Sequence, residues 1–166
     1  MSEGEQVRWE PDRDAGTGWI VLDDPERRNA LNARLVEELK EALRRARSDD
    51  QVSVVGLRGE GPDFCAGADL QEVHDSIQGG VMSTLEDAES LGELFLDIRD
   101  LPKPVVAAVH GNALAGGAGL ATACDLVVAS DDVSLGYPEV KLGFVPARVM
   151  SILRRSLGEK PAYEMV

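Results

Sequence analysis

Two stretches of small residues, Cys65 to Asp69 and Asn112 to Gly117, can present backbone rather than side chains to a reacting group. Each follows a valine-rich run, Val52 to Leu57 and Pro104 to His110, that reads as a buried strand. Small side chains let another group approach the backbone closely. Free N–H groups at a strand-to-helix turn suit an anion or a developing negative charge. If the two strands are neighbours in one sheet, the turns lie side by side, and one N–H from each can converge on a single oxygen. That is the geometry of an oxyanion hole, and it suits a thioester carbonyl passing through an enolate. Moving an α or γ proton of such a substrate needs a nearby carboxylate. Glu139, in an irregular loop after a short strand, is the best placed by order along the chain.

Other chemistries fail on the residues. Gly111 and Gly116 have P-loop spacing, but Gly117 and Ala118 follow where Lys and Ser/Thr are required. Gly117 and Gly119 are followed by Thr122 where a dinucleotide fingerprint has its third glycine. No serine has a nucleophile-elbow setting, and only His74 and His110 are available as its base. Paired His or Cys ligands for a metal are missing. Cys65 and Cys124 read as small buried thiols in a reducing compartment. The net charge of -13 argues against nucleic acid or an anionic membrane surface as partner. The acidic, polar N-terminus has no apolar signal core, and no apolar run approaches the roughly 20 residues of a membrane helix. The expectation is a cytoplasmic protein.

At 166 residues the chain reads as a single domain. Residues 1–6 are expected to be disordered. Short strands are expected at Val7–Glu10 and Trp19–Leu22, with a polar loop from Asp23 to Leu31. Asn32 reads as an N-cap for a helix with Leu35, Leu39, Leu43 and Ala46 at helical spacing. A poorly punctuated segment with a break at Gly79 and Gly80 leads to an amphipathic helix marked by Leu85, Ala88, Leu91, Phe95 and Ile98. The glycine-rich turn runs to Gly119, and helix continues from Leu120 to Cys124. Asp125 opens another valine-rich strand, and Val133–Leu135 is a short one. Pro146 fits the first turn of a helix with Val149, Ile152 and Leu153 on its apolar face, and a further helix starts near Lys160. Strands alternating with helices predict an α/β fold with mainly parallel pairing.

Four segments, DDPERRNALN, FCAGADL, KPVVAAVHGNALAGGAGLATACDLVVAS and LGYPEVKLGF, resemble in order the pattern of the enoyl-CoA hydratase/isomerase (crotonase) family. The resemblance runs from about Trp19 to the last residue. It implies a crotonase-like (ClpP/crotonase) spiral of repeated β-β-α units, forming homotrimers or hexamers. It implies an acyl-CoA thioester substrate, with coenzyme A entering as part of that substrate and no separate cofactor. By motif, the two backbone N–H groups on the carbonyl are those of Ala68 and Gly116. Arg28, Ala30 and Leu31 would contact the nucleotide and pantetheine of CoA, and Ala66, Asp69 and Leu70 would line the same cleft. Arg28 reads as a phosphate contact, with a solvated loop arginine as its bland alternative. Asp69 also reads as a helix N-terminal residue satisfying backbone donors, which is favoured over chemistry.

The chain departs from that pattern in three places. Family hydratases activate water with two glutamates; Glu139 matches the second, but Gly119 stands where the first belongs. One carboxylate suffices for double-bond migration, so the resemblance favours an enoyl-CoA isomerase, with an enoyl-CoA hydratase (lyase) as alternative and a non-catalytic acyl-CoA-binding or assembly subunit as a third class. Gly119 is expected to leave space for a bulkier acyl group, and a second carboxylate is sought in Glu86 to Glu93. After Gly143 the chain lacks a glycine-rich turn, and Phe144, Val145 and Met150 are expected to make an apolar wall. Finally, the C-terminal helical section that helps form the trimer is expected to be absent, residues 1–166 being the core domain alone, with self-association through the apolar surface left exposed.

Overall fold

The computed structural model describes residues 4–143 and 147–166, so the expectations for Phe144, Val145 and Pro146 fall outside the described residues. A main sheet is built from β1 (Val7–Asp12), β2 (Thr17–Leu22), β3 (Val54–Gly59), β4 (Val105–Val109) and β6 (Leu126–Ala129), in the order β1-β2-β3-β4-β6. Only β1 and β2 run antiparallel, as a hairpin; the remaining neighbours are parallel. Parallel neighbours require a long crossover, and each crossover here carries a helix. After β2 comes α1 (Ala33–Ser48), and after β3 come α2 (Leu70–Gly79) and α3 (Val81–Arg99).

Between strand and helix, the chain steps into a second layer each time. Leu31 bridges Ala68, Cys65 bridges Ala113, and β5 (Asn112–Leu114) pairs in parallel with β7 (Ser134–Gly136). Two further helices follow these steps, α4 (Gly116–Ala123) and α5 (Ala147–Leu157), and α6 (Glu159–Glu164) closes the described chain. Strand, second-layer step, helix is thus the repeating β-β-α unit, and the winding brings the second-layer steps together.

The expected helix α1 forms for the expected reasons. Asn32 is extended, and its side chain accepts from Leu35 N–H at 2.7 Å. Leu35, Leu39, Leu43 and Ala46 are buried in one stripe. Lys40 lies on the same helix with its stem buried and its ammonium donating to Ser90 and Glu93 of α3.

Several expectations change. Gln6 is tied down, its N–H donating to Glu38 and its side chain to Asp24, so the order begins earlier than expected. Strand β3 starts two residues later than Val52. The poorly punctuated segment is helix α2, which buries only Ser76 and therefore shows no apolar stripe to read. Gly80, at φ 94°, breaks it from α3, which begins at Val81 rather than near Leu85. Asn112–Leu114 is strand rather than turn, and α4 begins at Gly116 rather than Leu120. No helix of the described residues is long and apolar enough to cross a membrane. Both thiols are buried, which pushes each up to about 12 and leaves it unreactive.

Candidate active site

Strands β3 and β4 are neighbours, with Leu57 opposite Ala107, so the two small-residue stretches do leave the sheet side by side. Cys65 donates to Asn112 O at 3.0 Å and accepts from Leu114 N–H at 3.1 Å. Their approach is set by glycines. A Cβ on Gly117 would lie 2.2 Å from the Cys65 carbonyl oxygen, and one on Gly67 would lie 2.8 Å from the Leu114 oxygen and 3.1 Å from Ala115 Cβ. Any side chain at either position would push the turns apart.

Peptide geometry then aims two N–H groups. The two polar bonds of a trans peptide point in opposite directions. Gly67 C=O accepts from Leu31 N–H at 2.7 Å, so the N–H of Ala68 points away from Leu31. Ala115 C=O accepts from Gly119 N–H at 2.9 Å, opening α4, so the N–H of Gly116 points out of that helix's start. Among the described residues, neither N–H has a protein acceptor. Ala115 holds φ 51° and ψ -118°, a conformation usual for glycine, and its N–H is anchored on Gly136 O at 2.9 Å. Such a conformation in alanine costs roughly 1–3 kcal/mol and persists because the surroundings impose it.

The CoA-contact residues expected from the sequence occupy the adjoining loop. Arg28 and Asn29 both take left-handed φ, 55° and 54°. Arg28 is exposed and lies 3.5 Å from the buried Asp63 carboxylate. Its carbonyl accepts from Ala66 N–H at 3.0 Å, and Ala30 and Leu31 are buried beside it. Asp69 is the N-cap of α2, accepting from Gln71 N–H and Glu72 N–H, which matches its plainer expected role. Leu70 is exposed.

Two positioning residues escaped the sequence reading. Asn29 is fully buried; its amide donates to the carbonyls of Glu60, Asp63 and Phe64, and its oxygen accepts from Asp24 N–H. Asp63 accepts from both the backbone and the side chain of Asn112. Together they rivet the Arg28 loop and β5 to the chain entering Cys65. The readable signal was an asparagine, which tolerates left-handed φ, before an apolar pair in a polar loop. Asn29→Ala strips three carbonyls of their donor and should lower unfolding free energy by about 2–4 kcal/mol. Urea denaturation checks this; an unchanged midpoint would show the bonds to be dispensable.

Glu139 lies in a 3-10 turn, Pro138–Leu142, immediately after β7. It is half-buried, and its Oε2 is inaccessible without a hydrogen-bond partner among the described residues. The alternative of a surface pair with Lys141 is therefore not what the structure contains. The turn is fastened to α4. Tyr137 hydroxyl lies 2.6 Å from Thr122 Oγ1, which itself donates to Ala118 O at 2.8 Å, so the phenol is the donor. Burial, opposed by the Thr122 bond and aided by the charge of Glu139, pushes the phenol up to about 12, so it stays neutral.

Position 119 is not open space. A Cβ there would lie 2.6 Å from Phe95 Cζ and 3.1 Å from Val149 Cγ2. The expectation of room for a bulkier acyl group is overturned: the ring of Phe95, from α3, fills it. Of the carboxylates between Glu86 and Glu93, Asp87 lines a cavity and Glu93 is held by Lys40. That cavity, about 240 Å³, lies between α1, α2 and α3 and reaches Leu31, Ala68 and Asp69; Gly116 and Glu139 are not in its wall.

The model of the enoyl-CoA hydratase/isomerase family matches residues 12–166. The chain belongs to the enoyl-CoA hydratase/isomerase family. A Thermus thermophilus protein bearing an enoyl-CoA hydratase name is 46% identical over 147 residues, covering 89% of this chain and 58% of the relative. An enoyl-CoA isomerase/hydratase of Mycosarcoma maydis is 40% identical over 149 residues, covering 82% and 53%. A solved enoyl-CoA hydratase/isomerase (crotonase) structure from Legionella pneumophila superposes with a TM-score of 0.92 at 34% identity, covering 98% of this chain and 62% of that one. The fold is crotonase-like. The chain spans about half the length of these curated relatives.

Proposed function

We propose that this family member acts on an acyl-CoA thioester through an enolate, moving a carbon–carbon double bond with Glu139 as its single acid–base group. The observation that carries the reading is the pairing of a half-buried carboxylate having an unpartnered oxygen with a filled position 119. The thioester carbonyl would accept from the N–H groups of Ala68 and Gly116. Glu139 takes the C2 proton of a 3-enoyl thioester, and the electron pair moves onto the carbonyl oxygen as the dienolate forms. The two N–H groups hold that charge. Glu139 then returns the proton at C4, giving the 2-enoyl thioester, so no water is consumed. Arg28, exposed on its rigid loop, would take a CoA phosphate, with Ala30, Leu31, Ala66 and Leu70 along the ligand's path. The exposed residues of β6, Leu126, Val127 and Val128, would be covered in a homotrimer or hexamer.

Hydration is the second reading, favoured by the name of the Thermus relative. It needs a second carboxylate beside Glu139, and position 119, where the resemblance implies one, holds a glycine packed against Phe95. Incubating the protein with 3-enoyl-CoA and 2-enoyl-CoA separately distinguishes them by mass. Isomerisation of 3-enoyl-CoA gives a product of unchanged mass with the ultraviolet absorbance of a conjugated enoyl thioester, whereas a product one water heavier from either substrate, or no change at all, would overturn the isomerase reading.

A further inference from the structure

The cavity beside Ala68 is apolar in effect, because its polar lining is already engaged. Asn32 and Asp69 cap their helices, and Glu72 accepts from Ala33 N–H at 2.8 Å. Ser76 pairs with Ser83, Thr84 with the carbonyls of Ser76 and Gly80, and Ser90 accepts from Lys40. The remaining surface comes from Leu31, Val36, Val73, Ile77, Ala88 and Leu91. Asp87 differs: among the described residues it has no hydrogen bond or ion pair. Among the described residues, no arginine, lysine or histidine lines the cavity.

On the proposed function, an acyl chain leaving the Ala68 N–H enters this cavity. We infer that the cavity selects acyl groups with an uncharged apolar tail, and that Asp87 is a specificity-determining residue that turns away acyl groups ending in a carboxylate. An ω-carboxylate would lose water against the leucine, valine and isoleucine walls, find the one nearby ammonium, Lys40 behind Ser90, already paired with Glu37 and Glu93, and face the free carboxylate of Asp87. Asp87 is exposed enough to be screened, so its share of the discrimination is expected to fall as salt is raised.

The test is calorimetric binding of two unreactive ligands of equal length, octanoyl-CoA and its ω-carboxyl counterpart, with free CoA as reference. At low ionic strength the unmodified protein is expected to bind octanoyl-CoA at least about tenfold more tightly than the ω-carboxyl ligand. Asp87→Asn should narrow that gap about threefold to tenfold while leaving octanoyl-CoA affinity within about twofold. Asp87 sits on an exposed helix face, and Asp87→Asn should unfold at the temperature of the unmodified protein. Equal binding of both ligands, or a gap unchanged in Asp87→Asn, overturns the inference and leaves the acyl-CoA reading standing. Octanoyl-CoA binding no tighter than free CoA overturns both.

Discussion

Glu139→Gln is expected to abolish double-bond migration, lowering turnover by about 10²–10⁴-fold, while leaving acyl-CoA affinity close to that of the unmodified protein. Glutamine keeps the side-chain shape and removes the base. The turn that carries the residue is held from outside the side chain, by Tyr137 on Thr122 and by β7 on β5, so the substitution should not disturb the fold. The loss should therefore fall on the chemical step and not on binding. Turnover within a few-fold of the unmodified protein would remove Glu139 from the mechanism. Loss of binding together with turnover would instead make the residue part of the site's packing.

Gly119→Glu is the second large effect. It places a carboxylate where the family resemblance implies one in hydratases, yet it should not create a hydratase. The Cβ alone would lie 2.6 Å from Phe95 Cζ, and the carboxylate would have to enter an apolar region between α3, α4 and α5. Overpacking costs roughly 1–3 kcal/mol, and burying an unpaired charge costs more, so destabilisation of more than about 3 kcal/mol is expected. Gly119→Ala should show the steric part alone, at roughly 1–3 kcal/mol. Chemical denaturation of both variants separates these contributions. A Gly119→Glu protein of unchanged stability that hydrates 2-enoyl-CoA would contradict the packing described here and the isomerase reading with it.

The contrast between Asn32 and Gly119 marks what the chain discloses before it is folded. Asn32 acts three residues along its own helix, so type and spacing sufficed to read it. The two small-residue turns were readable too, because each follows a continuous apolar run, and neighbouring parallel strands place their ends together. Gly119 was misread because the ring that fills it comes from Phe95, in a different helix, and an apolar residue at helical spacing does not say which turn of which neighbour it meets. Helix α2 was missed because it buries too little to leave a pattern. Asn29 and Asp63 were missed because polar residues in a loop read as solvated, whereas here they satisfy backbone groups brought together by the second-layer crossings.

Ala115 shows the same limit on a single residue. Nothing in its type announces a left-handed conformation, yet that conformation turns the Gly116 N–H outward. It follows from the meeting of β5, β7 and the start of α4, where Gly136 O receives the Ala115 N–H. The proposed oxyanion site is thus a property of the winding, and its glycines matter chiefly by letting two backbones touch.

The most direct measurement is a crystal structure of the protein with an unreactive acyl-CoA thioester bound. The thioester oxygen is expected within about 3 Å of both the Ala68 and Gly116 nitrogens, with the Glu139 carboxylate beside the acyl C2 and no second carboxylate near it. A carbonyl bound elsewhere, or a second carboxylate at the same carbon, would contradict the one-carboxylate enolate mechanism.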